Sequence, residues 1–600
     1  MKWILYSIFF WTFSCAAWPN STQTAVDKLI NQVDPATNIG IEVVDLDTGI
    51  NLYQRNPNKL FIPASNMKLF SNAAALIALG PDYRFQTTLS TDAHELRNGY
   101  LKGSIYLYLP GDPSLTRHDI QALMAQLKNW GIRYIEGNIV IVSNHSGLSP
   151  YAPGWLTKDL QYSYGAPLAP LMIDENRLMV TINPNDVAGK PAIIELETDN
   201  ASISVNNQVN TTGKARGCGI DLHMDANNSL TIRGCVKVGQ WAIQQRIAIH
   251  NPLRYAQALI KNQLIGLNIT LKGQVVLGNA QSRSLLLANH ASKPISQLLA
   301  NTLKPSDNLY ADSLFLHTAA TISGKPLNWA QAQLVIKEFL QKQTNVNLSN
   351  AVLTDGSGLS RQDLVTPQQT VELLRFLHDR FPLAYEYIAA LPVAGRDGTL
   401  QRRLRLPSQQ DLVRAKTGTM SGIIGLSGYL YTANAHTLAF TIFINKQPRT
   451  NPNASGQYRY LVDAICNYFL HYKPDGNRFL GSLSPHQRLA FQMKPTQADQ
   501  QRNYTAKWRQ IESSIKLALK GKAVSLLFHS DELILNDNLA DQNVVWSILK
   551  SLSKKYKIAV ALVSNQLQIK HQRDPNILWI KAPDRRNQTL NKWIIRPAVT

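Results

Sequence analysis

The chain has 600 residues, of which 44% are apolar and 17% charged, and its net charge is +21. This composition excludes a disordered chain, and the length exceeds what one hydrophobic core can support, so three or four domains are expected. The positive charge suits anionic surroundings, but no zinc-finger spacing, RNA-binding signature or dense basic helix supports a nucleic-acid partner.

The first residues have the pattern of an export signal. Lys2 precedes an apolar run, Trp3 to Phe13, which is too short for a stable membrane anchor and is followed by small residues. We therefore expect residues 1–17 to be a cleaved signal peptide and the mature protein to be periplasmic. A lipid anchor at Cys15 is the alternative, which the poor lipidation sequence before it disfavours.

Three further cysteines fit an exported protein. Cys218 and Cys235 flank a hairpin-like segment, and an oxidising compartment allows them to form a disulfide. A disulfide that closes a loop of this length contributes about 3 kcal/mol in the chain-entropy model. Cys466 lies in an apolar helix-like run and is expected to be a buried, inert thiol.

The elements begin with a predicted helix from Ala25 to Val33. A strand pair follows, Ile41 to Leu46 and Ile50 to Tyr53, joined by a good hairpin turn. A strand-like entry at residues 60–62 then leads into an Ala-rich run, Leu69 to Leu79, which predicts a buried helix.

Ser65 and Lys68 stand at the start of that helix. The i, i+3 spacing puts both side chains on one helix face. A serine hydroxyl needs a base to become a nucleophile, and a desolvated lysine can be that base. Taken alone, Ser-x-x-Lys is a weak signal, because it also occurs on solvated helix faces.

From Phe85 to Leu285 the pattern changes to short β-like runs separated by turn residues, which predicts one or two inserted β-rich domains. One helix-like run, His118 to Trp130, interrupts them. The predicted strands are Tyr100 to Leu109, Tyr134 to Ser143, Leu178 to Ile182, Ala192 to Thr198, Leu230 to Val236, Trp241 to Ile249 and Asn268 to Val276.

Helical periodicity returns at Ile295, and an antiparallel meander follows. The predicted helices are Asn308 to Ile322, Trp329 to Lys342, Pro367 to His378 and Arg459 to Phe469. The predicted meander strands are Asp411 to Lys416, Gly422 to Thr432 and His436 to Asn445.

The last fifth of the chain is basic, with 20 Lys+Arg against 9 Asp+Glu from Asp475 onward. Residues 475–503 are polar and predict a linker. Residues 504–600 predict a small α/β domain of unknown role. Its elements are helices at Trp508 to Leu519 and Val544 to Lys554, and strands at Val524 to Phe528 and Ile558 to Ser564.

Three short motifs occur in the order found in serine β-lactamases and penicillin-binding proteins. The first is Ser65-Asn66-Met67-Lys68, the second is Ser306-Asp307-Asn308 at the head of a helix, and the third is Lys416-Thr417-Gly418-Thr419 on a strand. Separately, the second motif is a good N-cap and the third an ordinary strand end. Their order and context together make chance an inadequate explanation.

The spacing between the first and second motifs indicates which of these protein families the chain resembles. The 238 residues from Lys68 to Ser306 exceed what a compact β-lactamase needs. Between about residues 25 and 474 the chain resembles the D-Ala-D-Ala carboxypeptidase/endopeptidase family of the penicillin-binding protein 4 type (peptidase family S13). Further matching stretches are Asp355-Gly356-Ser357-Gly358-Leu359-Ser360-Arg361, Leu391-Pro392-Val393-Ala394-Gly395 with Asp397-Gly398-Thr399-Leu400, and Tyr164-Gly165-Ala166-Pro167 with Asp174-Glu175-Asn176.

The resemblance implies an α+β fold of the serine β-lactamase/DD-transpeptidase type. The DD-peptidase domain would be discontinuous, residues 18–84 and 286–474, with the β-rich residues 85–285 inserted after the Ser-x-x-Lys helix. It also implies a serine hydrolase that acts on peptidoglycan stem peptides and crosslinks, is inhibited covalently by β-lactams, and needs no metal or cofactor.

The motifs suggest a role for each residue. Ser65 attacks a carbonyl and Lys68 takes its proton, which requires a lysine pKa lowered by burial and by a second cation such as Lys416. Ser306 relays a proton to the leaving amine, and Asn308 holds the substrate amide. Lys416, Thr417, Gly418 and Thr419 bind the terminal carboxylate, and the N–H groups of Ser65 and Thr419 form an oxyanion hole.

Side-chain selection near this pocket is less constrained by sequence. Met420-Ser421 follows the third motif and Gln362-Asp363 follows Arg361, where the chain departs from the family pattern. Asp159, Tyr164 and Arg361 are candidates for binding the diamino-acid side chain of the stem peptide; Asp159 equally fits a plain loop carboxylate.

Alternatives remain from two classes. The same fold could serve a β-lactamase or a transpeptidase, depending on whether water or an amine accepts the acyl group. The chain could instead be a non-catalytic wall-binding protein. The basic C-terminal region suggests attachment to an anionic wall or membrane surface.

Overall fold

The computed structural model describes residues 21–143, 149–168, 171–198, 201–214, 217–279, 284–446 and 454–472, and the backbones of five strands between residues 524 and 597. The predicted signal peptide, linker and C-terminal helices lie outside the described residues. Across the part of the chain that is described, no helix combines the length and apolar character needed to cross a bilayer.

The N-terminal part forms α1 (Ser21–Val33), β1 (Ile39–Asp45), β2 (Asn51–Arg55) and α2 (Met67–Leu79). β1 and β2 pair antiparallel across the predicted turn. α2 is buried over its first ten residues, as its Ala-rich apolar sequence predicts. The strand predicted at residues 60–62 is wrong: Phe61 makes only an isolated bridge to Val365.

The inserted part contains fifteen strands and two helices among the described residues. The strands are β3 (Gln86–Thr91), β4 (Leu96–Arg97), β5 (Tyr100–Leu101), β6 (Ile105–Leu109), β7 (Tyr134–Ile135), β8 (Ile139–Ser143), β9 (Arg177–Asn183), β10 (Ile193–Leu196), β11 (Ser204–Thr212), β12 (Ile220–Met224), β13 (Ser229–Lys237), β14 (Ile243–Ala248), β15 (Thr270–Leu271), β16 (Val275–Leu277) and β17 (Leu285–Ala291). The helices are α3 (Arg117–Asn129) and α4 (Pro252–Gly266).

These strands form four small sheets, with the orders β16-β8-β6-β3-β17, β15-β7-β5-β4, β10-β9-β14 and β11-β13-β12. Three long predicted strands are each split in two, because turns at residues 102–104, 136–138 and 272–274 move the chain from one sheet to another. The prediction of a single helix is wrong. α4 begins with Asn251 as N-cap and Pro252 in its first turn, a signal that the sequence carried.

The predicted disulfide is present in the hairpin of β12 and β13. Cys218 and Cys235 are bonded, with their Cα atoms 5.0 Å apart. Cys466 is buried and not disulfide-bonded, and burial raises the pKa of its thiol. Burial and a raised pKa are the features of an inert thiol, as the sequence predicts.

After the insertion, the described residues up to 472 form six α-helices and the meander. The helices are α5 (Ile295–Leu303), α6 (Asn308–Ser323), α7 (Trp329–Thr344), α8 (Pro367–His378), α9 (Leu383–Ala390) and α10 (Ala454–Leu470), and the strands are β18 (Val413–Met420), β19 (Ile423–Tyr431) and β20 (Thr437–Asn445). The meander joins the first hairpin in one antiparallel sheet of order β18-β19-β20-β1-β2. Two segments more than 350 residues apart in sequence therefore share one sheet.

This sheet lies between two helical layers. α1 and α10 cover one face through residues such as Ile30 and Ile465, whereas α2 and α5 to α9 build the larger core on the other face. Strands covered on both faces carry continuous apolar runs, and all seven residues of β1 are buried. The fold is α+β, as predicted, and places the start of α2 against the outer strand β18.

The C-terminal part contributes β21 (Val524–His529), β22 (Glu532–Asp537), β23 (Ile558–Ser564), β24 (Ile577–Lys581) and β25 (Asn591–Pro597). They form a mixed sheet of order β21-β22-β25-β23-β24. Two of these strands match the predicted ones, and three were not predicted.

Candidate active site

Ser65 lies in a short 3-10 turn, Ala64–Asn66, that leads directly into α2. Ser65 is half-buried, and Lys68, one turn later, is completely buried. The Nζ atom of Lys68 is 3.0 Å from Ser65 Oγ. The two side chains therefore share a hydrogen bond in which a proton can move between oxygen and nitrogen.

Lys68 has two further partners, both from distant parts of the chain. Its Nζ lies 2.7 Å from Asn308 Oδ1 and 2.7 Å from the carbonyl oxygen of Ser357. Both oxygens only accept hydrogen bonds, whereas a serine hydroxyl can donate or accept. An ammonium satisfies all three partners, and a neutral amine can donate to the two carbonyl oxygens while its lone pair faces Ser65. The site therefore accommodates both protonation states of a general base.

Burial lowers the pKa of Lys68 to about 8, although nearby carboxylates, Asp312 first, oppose the shift. Asp312 is itself completely buried, and burial together with the charge of Asp355 raises its pKa well above the usual range. A carboxyl held toward its neutral form attracts the ammonium less. A lysine near pKa 8 is partly neutral at physiological pH, as a general base must be.

The loop that supplies the Ser357 carbonyl is organised by Asp355. Its carboxylate accepts hydrogen bonds from the backbone N–H groups of Ser357, Gly358 and Ser360, and from the indole N–H of Trp155 at 2.8 Å. Gly358 adopts φ +78°, and a Cβ there would lie 1.9 Å from the carbonyl oxygen of Ala64. Glycine is therefore required where this loop closes on the turn that carries Ser65.

A second lysine–serine pair faces the first. Lys416 on β18 is completely buried, and its Nζ donates to Ser306 Oγ at 2.8 Å and to the Thr417 carbonyl at 2.9 Å. Burial, and then the charge of Lys68, lower the pKa of Lys416 well below its usual value. The two amines are thus close enough to influence each other's protonation.

The segment Ser306–Asn308 is fixed by the inserted domain. Ser306 has a positive φ of 65°, and Asp307 caps α6 by accepting from the N–H of Tyr310 at 3.1 Å. Arg177 on β9 donates to both carboxylate oxygens of Asp307, at 2.5 and 3.1 Å, and also pairs with Glu175. The insertion therefore positions a residue that touches Lys68.

A backbone contact from the insertion adds to this. The side-chain amide of Asn308 donates from Nδ2 to the carbonyl oxygen of Tyr164 at 2.8 Å, while its Oδ1 accepts from Lys68. The amide orientation is thus set by one acceptor and one donor, and Asn308 connects the insertion to the base.

Gly418 determines how close β18 approaches the nucleophile. A Cβ at this position would lie 2.5 Å from Asn66 Nδ2 and 2.7 Å from the Pro63 carbonyl oxygen. Only glycine lets the strand lie directly against the turn that carries Ser65. Its contribution to the site is therefore the close approach that the missing side chain allows.

The two serines open into one cavity of about 530 Å³, within the range that holds ligands of drug size. Its lining residues are Ser65, Ser306, Thr399, Arg402, Arg403, Thr417, Thr419, Arg459 and Asp463. Thr417 Oγ1 is 2.7 Å from Thr399 Oγ1, so the loop before β18 is joined to the third motif.

The three candidates for side-chain recognition lie near this cavity but do not line it. Tyr164 donates its hydroxyl to Asp159 Oδ1 at 3.0 Å, and its ring stacks on that of Tyr162. Arg361 Nη2 donates to the carbonyl of Ser421 at 3.2 Å, one residue past the end of β18.

Sequence reasoning missed several residues that build the site: Arg177, Asp355, Ser357 and Thr399. The signal was partly available, because Asp355 and Ser357 lie in a stretch already matched to the family, and so does Thr399. Arg177 directly follows the matched Asp174-Glu175-Asn176. What the sequence did not indicate was which of these residues would meet the motifs.

Comparison with known proteins adds an independent observation. The model of the D-Ala-D-Ala carboxypeptidase 3 (S13) family matches residues 22–464. A D-alanyl-D-alanine carboxypeptidase DacB from Haemophilus influenzae is 31% identical over 434 residues, 71% of this chain and 89% of the relative. A D-alanyl-D-alanine carboxypeptidase from an Actinomadura species is 31% identical over 461 residues, 74% of this chain and 83% of the relative.

Solved structures agree with this. The crystal structure of penicillin binding protein 4 (dacB) from Haemophilus influenzae superposes with a TM-score of 0.67 at 30% identity, covering 74% of this chain and 99% of that one. The same protein complexed with a β-lactam superposes with a TM-score of 0.64 at 30% identity and the same coverage.

Proposed function

Because the chain belongs to the D-Ala-D-Ala carboxypeptidase 3 (S13) family, we propose that Ser65 is the nucleophile with which it acts on peptidoglycan stem peptides. The enzyme is a serine-type D-Ala-D-Ala carboxypeptidase, a hydrolase, like the relatives that match most of its length. The observation that carries the residue assignment is the 3.0 Å contact between Ser65 Oγ and Lys68 Nζ in a buried setting.

Acylation begins when Ser65 Oγ attacks the carbonyl carbon of the penultimate D-alanine. Lys68 takes the hydroxyl proton, and the N–H groups of Ser65 and Thr419 bind the developing oxyanion. The peptide bond then breaks, and the proton that Lys68 took passes through the Ser306 hydroxyl, which Lys416 holds at 2.8 Å, to the leaving nitrogen. The product is an ester on Ser65, which water hydrolyses to release the shortened peptide and restore the serine.

The substrate is expected to lie along the outer edge of β18, the edge strand of its sheet. The Val393 region pairs with this edge at Arg414, and among the described residues no bridge covers the edge from Thr417 to Met420. An extended peptide can add to such an edge. Thr417 and Thr419 line the cavity there and are suited to bind the terminal carboxylate, with the charge of Lys416 nearby.

The acyl side of the substrate would be recognised near the C-terminal end of β18. Arg361 contacts Ser421 there, and Tyr164 contacts both Asp159 and Asn308. A diamino-acid side chain carries an amine and a carboxylate, which Asp159 and Arg361 complement in charge. This charge complementarity supports a role for Asp159, Tyr164 and Arg361 in selecting the stem peptide.

Two further properties concern the two ends of the chain, and their support comes mainly from the sequence. Export to the periplasm is supported by the sequence of residues 1–17 and by the disulfide. Attachment of residues 475–600 to an anionic wall or membrane surface is supported by their excess of positive charge. Deleting residues 475–600 should reduce salt-sensitive binding to isolated sacculi; unchanged binding would contradict that attachment.

The residue assignment is tested by labelling with a fluorescent penicillin. Wild type should form a covalent adduct that Ser65→Ala does not form. Incubation with purified muropeptides, read by mass spectrometry, should show loss of one D-alanine in wild type alone. Rapid turnover of the penicillin would favour a β-lactamase, transfer to an amine would favour a transpeptidase, and a wild type without adduct or product would favour a non-catalytic wall-binding protein.

A further inference from the structure

The active-site cavity extends well past the reacting groups. Beyond Thr417 and Thr399 it is bounded by Arg402, Arg403 and Arg459, and the catalytic assignment uses none of these three. A volume of about 530 Å³ exceeds what a single departing alanine needs, given that cavities of roughly 300–1,000 Å³ hold whole drug-sized ligands.

The direction of this extension follows from β18. Arg361 and Ser421 mark the far end of the strand, where the acyl part of the substrate would lie. Thr417 lies four residues earlier along the chain, and its hydroxyl contacts Thr399, three residues before Arg402. The arginines therefore stand on the side where the carboxylate of the leaving group is bound.

The charge of the extension is positive. Arg403 is paired with Asp463, Nη2 to Oδ1 at 2.7 Å, so these two charges offset each other. Arg402 and Arg459 are exposed, and within the described ranges neither has an ion pair or side-chain hydrogen bond. Two uncompensated guanidinium groups facing one cavity attract carboxylates.

We propose that Arg402 and Arg459 form a subsite for an anionic leaving group longer than D-alanine, namely the second stem peptide of a crosslink. This proposal rests on the proposed function and specifies which leaving group the active site prefers. The carboxylate next to the cleaved bond binds at Thr417 and Thr419, and a further carboxylate of the departing stem reaches the two guanidinium groups. The subsite would favour cleavage of crosslinks over removal of a terminal D-alanine.

The test compares two substrates in the full-length protein. The kcat/KM for a crosslinked tetrapeptide dimer is divided by that for a pentapeptide with the same acyl part. In the double variant Arg402→Ala/Arg459→Ala this ratio should fall about tenfold, since each exposed contact contributes up to about 1 kcal/mol. Arg405→Ala removes an exposed arginine from the same loop that does not line the cavity, and should leave the ratio unchanged.

A second crosslinked substrate tests whether the effect depends on the negative charge of the departing stem. When the further carboxylates of the departing stem are amidated, wild type and the double variant should show the same ratio. An unchanged ratio with the charged dimer, or a wild type that does not cleave the dimer, would overturn the subsite. Penicillin labelling of the same wild-type sample reports separately on the proposed function, because it requires no leaving-group subsite.

Discussion

Arg177 of the inserted domain donates hydrogen bonds to both carboxylate oxygens of Asp307, at 2.5 and 3.1 Å. Asp307 is the residue between Ser306 and Asn308. The arginine side chain is 10% exposed and that of the aspartate 12%, so water screens the pair only weakly. Because Asn308 touches Lys68 and Ser306 touches Lys416, this ion pair connects the insertion to both lysines. The insertion therefore holds in place the residues to which we assign catalysis.

Arg177→Ala should slow acylation by a β-lactam about 100-fold, because even small displacements of reacting groups carry such a cost. It should also lower the free energy of unfolding by about 3–5 kcal/mol, as loss of one partner of a buried pair does. Stopped-flow acylation and denaturant unfolding measure the two effects.

Arg177→Lys keeps the positive charge but cannot donate to both carboxylate oxygens in the same geometry. Relative to Arg177→Ala, it should restore more of the free energy of unfolding than of the acylation rate. The control is Arg55→Ala, which breaks a more exposed pair with Asp27 and should cost below about 1 kcal/mol. An Arg177→Ala protein that is less stable but acylates normally when folded would contradict the positioning role.

Lys68→Arg should abolish most acylation while keeping a cation in place. Arginine does not lose its proton at accessible pH and cannot accept one from Ser65, so a loss of about 10²–10⁴-fold is expected. The rate of labelling by a fluorescent penicillin measures it. Lys59→Arg, at an exposed lysine, is the matched control. Near-normal labelling in Lys68→Arg would show that another group is the base.

The acylation rate should rise with pH up to about 8 and then level off. Lys68 acts only when neutral, and burial lowers its pKa to about 8, so each unit below that value should cost about tenfold. The second-order rate constant with a β-lactam, measured from pH 6 to 9.5, reports this ionisation in the free enzyme. A flat profile over that range would contradict Lys68 as the titrating base.

The same shift has a consequence for stability. Between the folded pKa of about 8 and the usual value near 10.4, the unfolded chain binds the Lys68 proton and the folded chain does not. The unfolding free energy therefore increases with pH across this window and has no Lys68 contribution to its slope below it. Lys68→Met should reduce that slope, as measured by denaturant unfolding at pH 8 to 10; an unaltered slope would contradict the lowered pKa.

Gly418→Ala should impair both acylation and stability. Its Cβ would lie 2.5 Å from Asn66 Nδ2, so β18 or the nucleophile turn must shift, at a cost of about 1–3 kcal/mol. Gly266→Ala is the control, because nothing lies within 4 Å of its Cβ and the residue is helical; it should be neutral or stabilising. Equal behaviour of the two variants in thermal unfolding and penicillin labelling would contradict the packing argument.

Arg361→Ala should reduce selectivity for the stem peptide's side chain. Two stem peptides are compared: one has at its third position a residue whose side chain carries an amine and a carboxylate, and the other has a neutral side chain there. The ratio of kcat/KM for the first to kcat/KM for the second should be about tenfold lower in the variant than in wild type. Arg375→Ala, an exposed arginine on α8, should leave the preference unchanged. If Arg361→Ala lowers both substrates equally, the residue supports the loop rather than the selection.

Local features of the fold could be predicted because their signals lie within a few residues. The spacing of Ser65 and Lys68, the apolar run of α2 and the three meander strands were all available from the sequence. The split of the long strands was not, because a turn that changes sheets needs only two or three unremarkable residues. α4 was missed although Asn251 and Pro252 marked its start.

The sequence by itself determined the order of the three motifs and the chemistry that each residue type can perform. Only the tertiary structure decided what surrounds them: Lys68 meets residues 240 and 289 positions away, and Ser306 meets Lys416 across 110 positions. A hydroxyl or amine has its reactivity set by burial and neighbouring charges, and these depend on contacts that no local spacing specifies. Arg177 shows this most directly, since its partner Asp307 is 130 residues away.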